Sequence, residues 1–248
     1  MLKSILAFLV FILTACFILP ATAQDKPSRM YEPYSVYSKN DIAPENYGDQ
    51  IIVMFHGFLS AMPNGFYKKA EKALGKKFTV IGYNYDYFDV EKNILEFDKF
   101  YQHFLKGKIL IFGGSSLGGF WADYFGTRYQ VKKIFLSNPT VEPEKILSYF
   151  FEKQNYSDRR EQTVTVTAEK LSSYKKIRLT SAYSGQRLII MTEDDEIQEC
   201  SVAGRFFHDN PNTIIIKLSR GGHSINYRKN AIAWSILETF IRLPVPKP

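Results

Sequence analysis

Ile109-Leu110-Ile111-Phe112-Gly113-Gly114-Ser115-Ser116-Leu117-Gly118-Gly119-Phe120 decides how this chain folds. The apolar run reads as a buried strand, the segment after the glycines as a helix, and a serine stands at the junction. A serine there must sit on a turn so sharp that its backbone is strained, and small neighbours two residues to either side keep strand and helix apart. Gly114 and Gly118 meet that need around Ser116, whereas Ser115 has Leu117 two residues on. A glycine-rich strand-to-helix turn also suits a phosphate held on helix amides, so residues elsewhere must decide between the two uses.

Working outward, Ile51 to Phe55 is another continuous apolar run, followed by a loop from His56 to Asn64 and a short helix ending near Gly75. Phe78 to Ile81 is the next strand. Val90 to Leu105 carries Ile94, Phe97, Phe100, Tyr101 and Phe104 on related helical faces. Beyond the elbow a helix reaches about Tyr129, and Ile134 to Leu136 forms a strand closed by Asn138-Pro139. Val141 to Gly185 breaks the rhythm, with a helix expected from Pro143 to Glu152 and alternation from Thr163 to Thr167; it is a candidate lid or substrate cap. Arg187 to Met191 and Thr213 to Leu218 restore the strand pattern, with a helix through Val202 to Phe207 between them and a closing helix from Ala231 to Ile241. Such alternation implies an α/β architecture: one mostly parallel sheet wrapped by helices, here a single domain over 49–245 after a surface segment at 24–48.

A serine hydroxyl is a poor nucleophile at neutral pH and needs an imidazole to take its proton and a carboxylate to orient that imidazole. Glu193-Asp194-Asp195-Glu196 follows the Arg187 strand, and Gly221-Gly222-His223 follows the Thr213 strand. Serine, acid, histidine, each just past a strand's C-terminal end, is the chain order of α/β-hydrolases. Ser116 is therefore assigned as nucleophile, Asp195 as orienting acid with Asp194 as its competitor, and His223 as general base and acid. Four adjacent acids also read simply as a solvated turn. The backbone amides of Leu117 and Phe58 are the expected oxyanion donors, Phe58 lying in the His56-Gly57-Phe58-Leu59 loop after the first apolar strand. His56 is read as a loop-stabilising residue, and His103 and His208 as structural or exposed. Tyr83, Tyr85, Tyr87 and Phe88 could line an acyl pocket, although core packing is the commoner use of such residues.

The first residues form a separate object: Lys3, an apolar stretch from Ile5 to Leu19, and Ala21-Thr22-Ala23 before Gln24 have the layout of a signal peptide at 1–23. The expected location is periplasmic or secreted. Leu13-Thr14-Ala15-Cys16 offers the alternative of a lipid-anchored envelope protein, and membrane association is expected only if Cys16 is acylated. Cleavage after Ala23 leaves Cys200 as the sole cysteine, which excludes an intramolecular disulfide and a cysteine zinc site. The formal net charge is +7. Lys68, Lys69, Lys72, Lys76 and Lys77 fall around an expected helix and its exit, as on a solvated face, and no helix-turn-helix or RNA-binding aromatic motif accompanies them. Nucleic acid is not an expected partner, and neither metal nor organic cofactor is required by the serine chemistry.

Gly-Ser-Ser-Leu-Gly-Gly at 114–119, His56-Gly57-Phe58, Asn138-Pro139-Thr140-Val141 with Pro143-Glu144, Asp195-Glu196-Ile197 and Gly221-Gly222-His223 together resemble the YqiA-type small esterases. The likeness covers about residues 51–243. It implies a compact α/β-hydrolase with carboxylesterase or acyl-thioesterase activity, and its Asp-Glu-Ile match favours Asp195 over Asp194. The export signal points to acyl esters rather than coenzyme A thioesters as substrates. A non-catalytic binding protein on the same scaffold is the reading from a different class.

Overall fold

The computed structural model describes residues 36–244 apart from 159 and 181. The proposed signal peptide, Cys16 and the Ala23 cleavage site lie outside the described residues. The chain runs β1 (Val36–Ser38), β2 (Gln50–Phe55), α1 (Gly65–Leu74), β3 (Thr79–Tyr83), α2 (Val90–Phe100), β4 (Ile109–Ser115), α3 (Leu117–Arg128), β5 (Lys133–Ser137), α4 (Pro143–Ser148), β6 (Gln154–Ser157), β7 (Gln162–Thr165), α5 (Ala168–Ser172), β8 (Gln186–Thr192), α6 (Cys200–Phe207), β9 (Thr213–Leu218) and α7 (Ala231–Arg242). Seven strands form one sheet in the order β1-β3-β2-β4-β5-β8-β9. All neighbours are parallel except β1, which runs antiparallel to β3.

The central strands β2, β4, β5 and β8 are buried on both faces, and strand alternation divides the side chains of the sheet between two cores. Ile51, Val53 and Phe55 point to the face covered by α2 and α3, where Phe97, Trp121 and Phe125 pack. Ile52 and Met54 point to the other, covered by α1 and α7 through Tyr67, Leu74, Trp234 and Leu237. This double burial makes the parallel strands read as unbroken apolar runs. At about 25 cal/mol per Å² of apolar surface removed from water, these two layers supply the main favourable term of folding.

Two buried cations anchor the frame. Arg187 of β8 donates from Nε to Asp123 of α3 at 2.7 Å, with both side chains at most 1% exposed. Burial pushes the Asp123 carboxyl up to about 6, against the pull of Arg187. Lys133 of β5 donates from Nζ to the carbonyls of Phe240 (2.6 Å) and Leu243 (2.5 Å), closing the C-terminal end of α7 where a positive charge is favoured.

Two expectations need correction. The segment at 24–48 is not purely a surface run: Val36 and Tyr47 are buried, and β1 adds an edge strand too short to register in the sequence. The helix from Pro143 ends at Ser148 rather than Glu152, since Tyr149-Phe150-Phe151 leaves the axis in a turn that leads into the β6–β7 hairpin. The helix from Val90 reaches Leu105 as expected, with Tyr101–Leu105 as a π-helical turn.

Candidate active site

Ser116 stands between β4 and α3 with φ 54° and ψ −125°, a conformation L residues adopt only when their surroundings impose it. The flanking glycines make the turn possible. A Cβ on Gly114 would fall 2.1 Å from the Gly118 carbonyl oxygen, and one on Gly118 would fall 2.3 Å from that of Phe55. The Ser116 amide donates to Ser137 O at 3.0 Å, which ties the elbow to the end of β5.

The structure brings Ser116, His223 and Asp195 together. His223 Nε2 lies 2.8 Å from Ser116 Oγ, and His223 Nδ1 lies 2.9 Å from both carboxylate oxygens of Asp195. Asp195 is 2% exposed and His223 12%, so the imidazole edge can reach a substrate while the carboxylate is shielded. Asp195 Oδ1 also accepts from the amides of Ile197 and Gln198, which fixes the carboxylate in place.

The four-acid loop is solvated at Glu193, Asp194 and Glu196, which are exposed, and shields only Asp195. Asp194 accepts from the Gly222 amide at 2.8 Å and the Gly221 amide at 3.2 Å, and these bonds hold its carboxyl below the usual range, Gly222 foremost. Glu196 accepts from the His223 amide at 2.9 Å. Asp194 and Glu196 thus hold the backbone of the histidine loop while Asp195 holds the ring.

Phe58 and Leu117 border the same cavity as Ser116 and His223, a space of about 300 Å³ between the elbow, the 56–60 loop and α4. Neither residue's amide donates to a backbone carbonyl among the described residues, as is required of a donor kept for a ligand. Thr140 borders the cavity with a fully buried hydroxyl that has no hydrogen-bond partner among the described residues. Tyr83, Tyr85 and Tyr87 are core residues instead of cavity wall, and the last two support the 56–60 loop: Tyr85 OH donates to His56 O (2.5 Å) and Tyr87 OH to Ser60 O (2.6 Å). His56 is fully buried and stacked on Tyr85, whereas His103 and His208 are exposed.

Asn138 is the residue sequence reasoning undervalued. Its φ of 41° turns the chain at the end of β5. From there Nδ2 donates to the carbonyls of Gly222 and His223, both at 2.9 Å, and Oδ1 accepts from the Thr192 amide. One amide side chain therefore joins the ends of β5 and β8 to the histidine loop. The available signal was an asparagine tolerant of left-handed backbone just past a buried strand. Among the described residues, no group of three or more His, Cys, Asp or Glu could hold a metal, and no helix is long and apolar enough to cross a membrane.

Chemically, the cluster can move a proton from hydroxyl to imidazole and hold the resulting imidazolium against a buried carboxylate. Solved structures with the same α/β-hydrolase fold include Est1E from Butyrivibrio proteoclasticus (TM-score 0.60, 14% identity, 83% of this chain and 92% of that one). Alpha/beta hydrolase domain-containing protein 10 from mouse aligns over 78% of this chain and 89% of its own (TM-score 0.60, 13% identity). An epoxide hydrolase from Bacillus megaterium aligns over 85% and 97% (TM-score 0.60, 11% identity). No curated protein sequence matches the chain. The Uncharacterised protein family (UPF0227) matches residues 51–232, a span that includes Ser116, Asp195 and His223, and the chain belongs to that family, the one its YqiA-type motifs indicate.

Proposed function

We propose that the protein is a serine hydrolase that cleaves carboxylic esters through an acyl-enzyme, acting outside the cytoplasm after removal of residues 1–23. The observation that carries this reading is the unbroken contact series from Ser116 Oγ through His223 to Asp195, at 2.8 and 2.9 Å, on the rim of a cavity. Ser116 Oγ attacks the ester carbonyl as His223 Nε2 takes its proton, and the Leu117 and Phe58 amides meet the developing oxyanion. Collapse breaks the bond to the alkoxy oxygen, which leaves with the proton from His223. Water then attacks the acyl group, gives its proton to His223, and releases the carboxylic acid as Ser116 regains its hydrogen. A cavity near the lower end of ligand-site volumes, about 300 Å³, supports short acyl groups.

A fluorophosphonate probe should label the wild-type protein at Ser116, and Ser116→Ala should abolish both labelling and hydrolysis of p-nitrophenyl esters while keeping the circular dichroism of the fold. Absence of labelling in folded wild-type protein overturns the proposal and favours a binding role. The same screen with acyl chains of graded length should peak at the short end.

A further inference from the structure

We propose that Arg160, in the turn of the β6–β7 hairpin, is the positioning residue that aims the Phe58 amide, so the inserted segment is part of the scaffold of the reaction centre. This inference rests on the serine-hydrolase reading above. The guanidinium reaches across the fold to the 56–60 loop: Nη2 donates to His56 Nε2 at 3.0 Å and to Tyr85 O at 2.7 Å, and Nε donates to Ser60 O at 3.4 Å. Its Cζ lies 4.2 Å from the centre of the Tyr87 ring, within cation–π range. Ser157, at the end of β6, adds a bond from Oγ to Leu59 O at 3.0 Å.

The link to the oxyanion passes through His56. An Arg side chain only donates, so His56 Nε2 must be the accepting nitrogen and Nδ1 must carry the hydrogen. That hydrogen points at Gly57 O, 2.9 Å from Nδ1. Gly57 C=O and Phe58 N–H belong to one planar peptide unit, so fixing the carbonyl fixes the direction of the amide hydrogen. The carbonyls of His56, Gly57, Leu59 and Ser60 are all engaged, while the Phe58 amide has no carbonyl partner among the described residues. Arg160 therefore selects the tautomer and the orientation of a ring that sets the oxyanion donor, although no atom of Arg160 borders the cavity.

The test compares wild type with Arg160→Met, Arg160→Lys, His56→Phe and the double variant Arg160→Met/His56→Phe. Loss of an oxyanion donor costs roughly 100- to 1000-fold in kcat, and a misaimed one should cost at least about tenfold, with KM moved by less than about threefold. Arg160→Met should show that split and weaken a trifluoromethyl ketone inhibitor by the same factor, with binding of the product carboxylate unchanged. Arg160→Lys, which keeps charge but cannot span three acceptors, should share most of the loss. The double variant should be no slower than His56→Phe alone, since both act through one ring. Fluorophosphonate labelling distinguishes the two failures: an unlabelled wild type sinks the hydrolase reading. A labelled wild type with Arg160→Met and Arg160→Lys labelled equally fast, or with losses that are additive with His56→Phe, sinks the role of Arg160. If Arg160→Met does not fold, Arg160→Lys, normalised by active-site titration, decides the matter by the same criteria.

Discussion

His56 and His223 both belong to loops that flank Ser116, and they have opposite electrostatic fates. His223 keeps an exposed edge, with a carboxylate on one nitrogen and a hydroxyl on the other. His56 is fully buried, stacked on Tyr85 at 4.3 Å, and faces the guanidinium of Arg160. Burial first and Arg160 second push its imidazole down to about 3, so it is neutral around pH 7. A histidine beside a nucleophile is thus not a base by proximity: the group on its far nitrogen decides. A carboxylate there stabilises the imidazolium, and an arginine there forbids it.

The contrast is broken most strongly at the far nitrogen of His223. Asp195→Asn should lower kcat about 10⁴-fold with the fold intact, because the amide favours the wrong tautomer. A pH–rate profile of ester hydrolysis, with stability followed separately, checks this. Retention of activity within tenfold would transfer the orienting role to Asp194.

His56 offers a test in stability instead of rate. The unfolded chain takes up the imidazole proton near pH 6.5 and the folded chain only near 3, so protons bind on unfolding and stability falls as pH drops through that window. The loss attributable to this one ring is on the order of 5 kcal/mol at the acid end. Urea unfolding of wild type and His56→Phe at stepped pH should show a shallower acid limb in the variant by about one proton. Parallel limbs would mean that His56 is charged in the fold.

The smallest effect is expected at Asp194, which holds only the backbone of the histidine loop. Asp194→Asn should reduce kcat about tenfold or less with KM little changed, since one oxygen can still accept an amide hydrogen. Measured beside Asp195→Asn, it puts a number on the difference between holding a loop and polarising a ring.

What could be read from the chain follows the same division between local and distant causes. β2, β4, β5 and β8 were legible because two-sided burial demands continuous apolar runs, Ser116 and Asp195 because each follows such a run, and His223 because it follows the apolar edge strand β9. β1 was not, being three residues long at a sheet edge, nor was β6, whose Gln154-Asn155-Tyr156-Ser157 is polar in every position but one. The acid loop is as solvated as it reads, but its bonds to the Gly221, Gly222 and His223 amides were hidden, because those amides are close only after β8 and β9 pair. Arg160 was invisible for the same reason, with its acceptors 75 to 104 positions away in the chain.

The bonds from Ser157 and Arg160 to the 56–60 loop also limit how this protein can be re-engineered. Selectivity is often sought by transplanting the variable excursion of one homologue onto the frame of another. Here a transplant lacking a hydroxyl and a guanidinium at matching points would take part of the turnover machinery away with the old excursion, whatever it did for substrate choice. A useful chimera would need the hairpin tip carried over unchanged, with variation confined to the α4 side of the cavity.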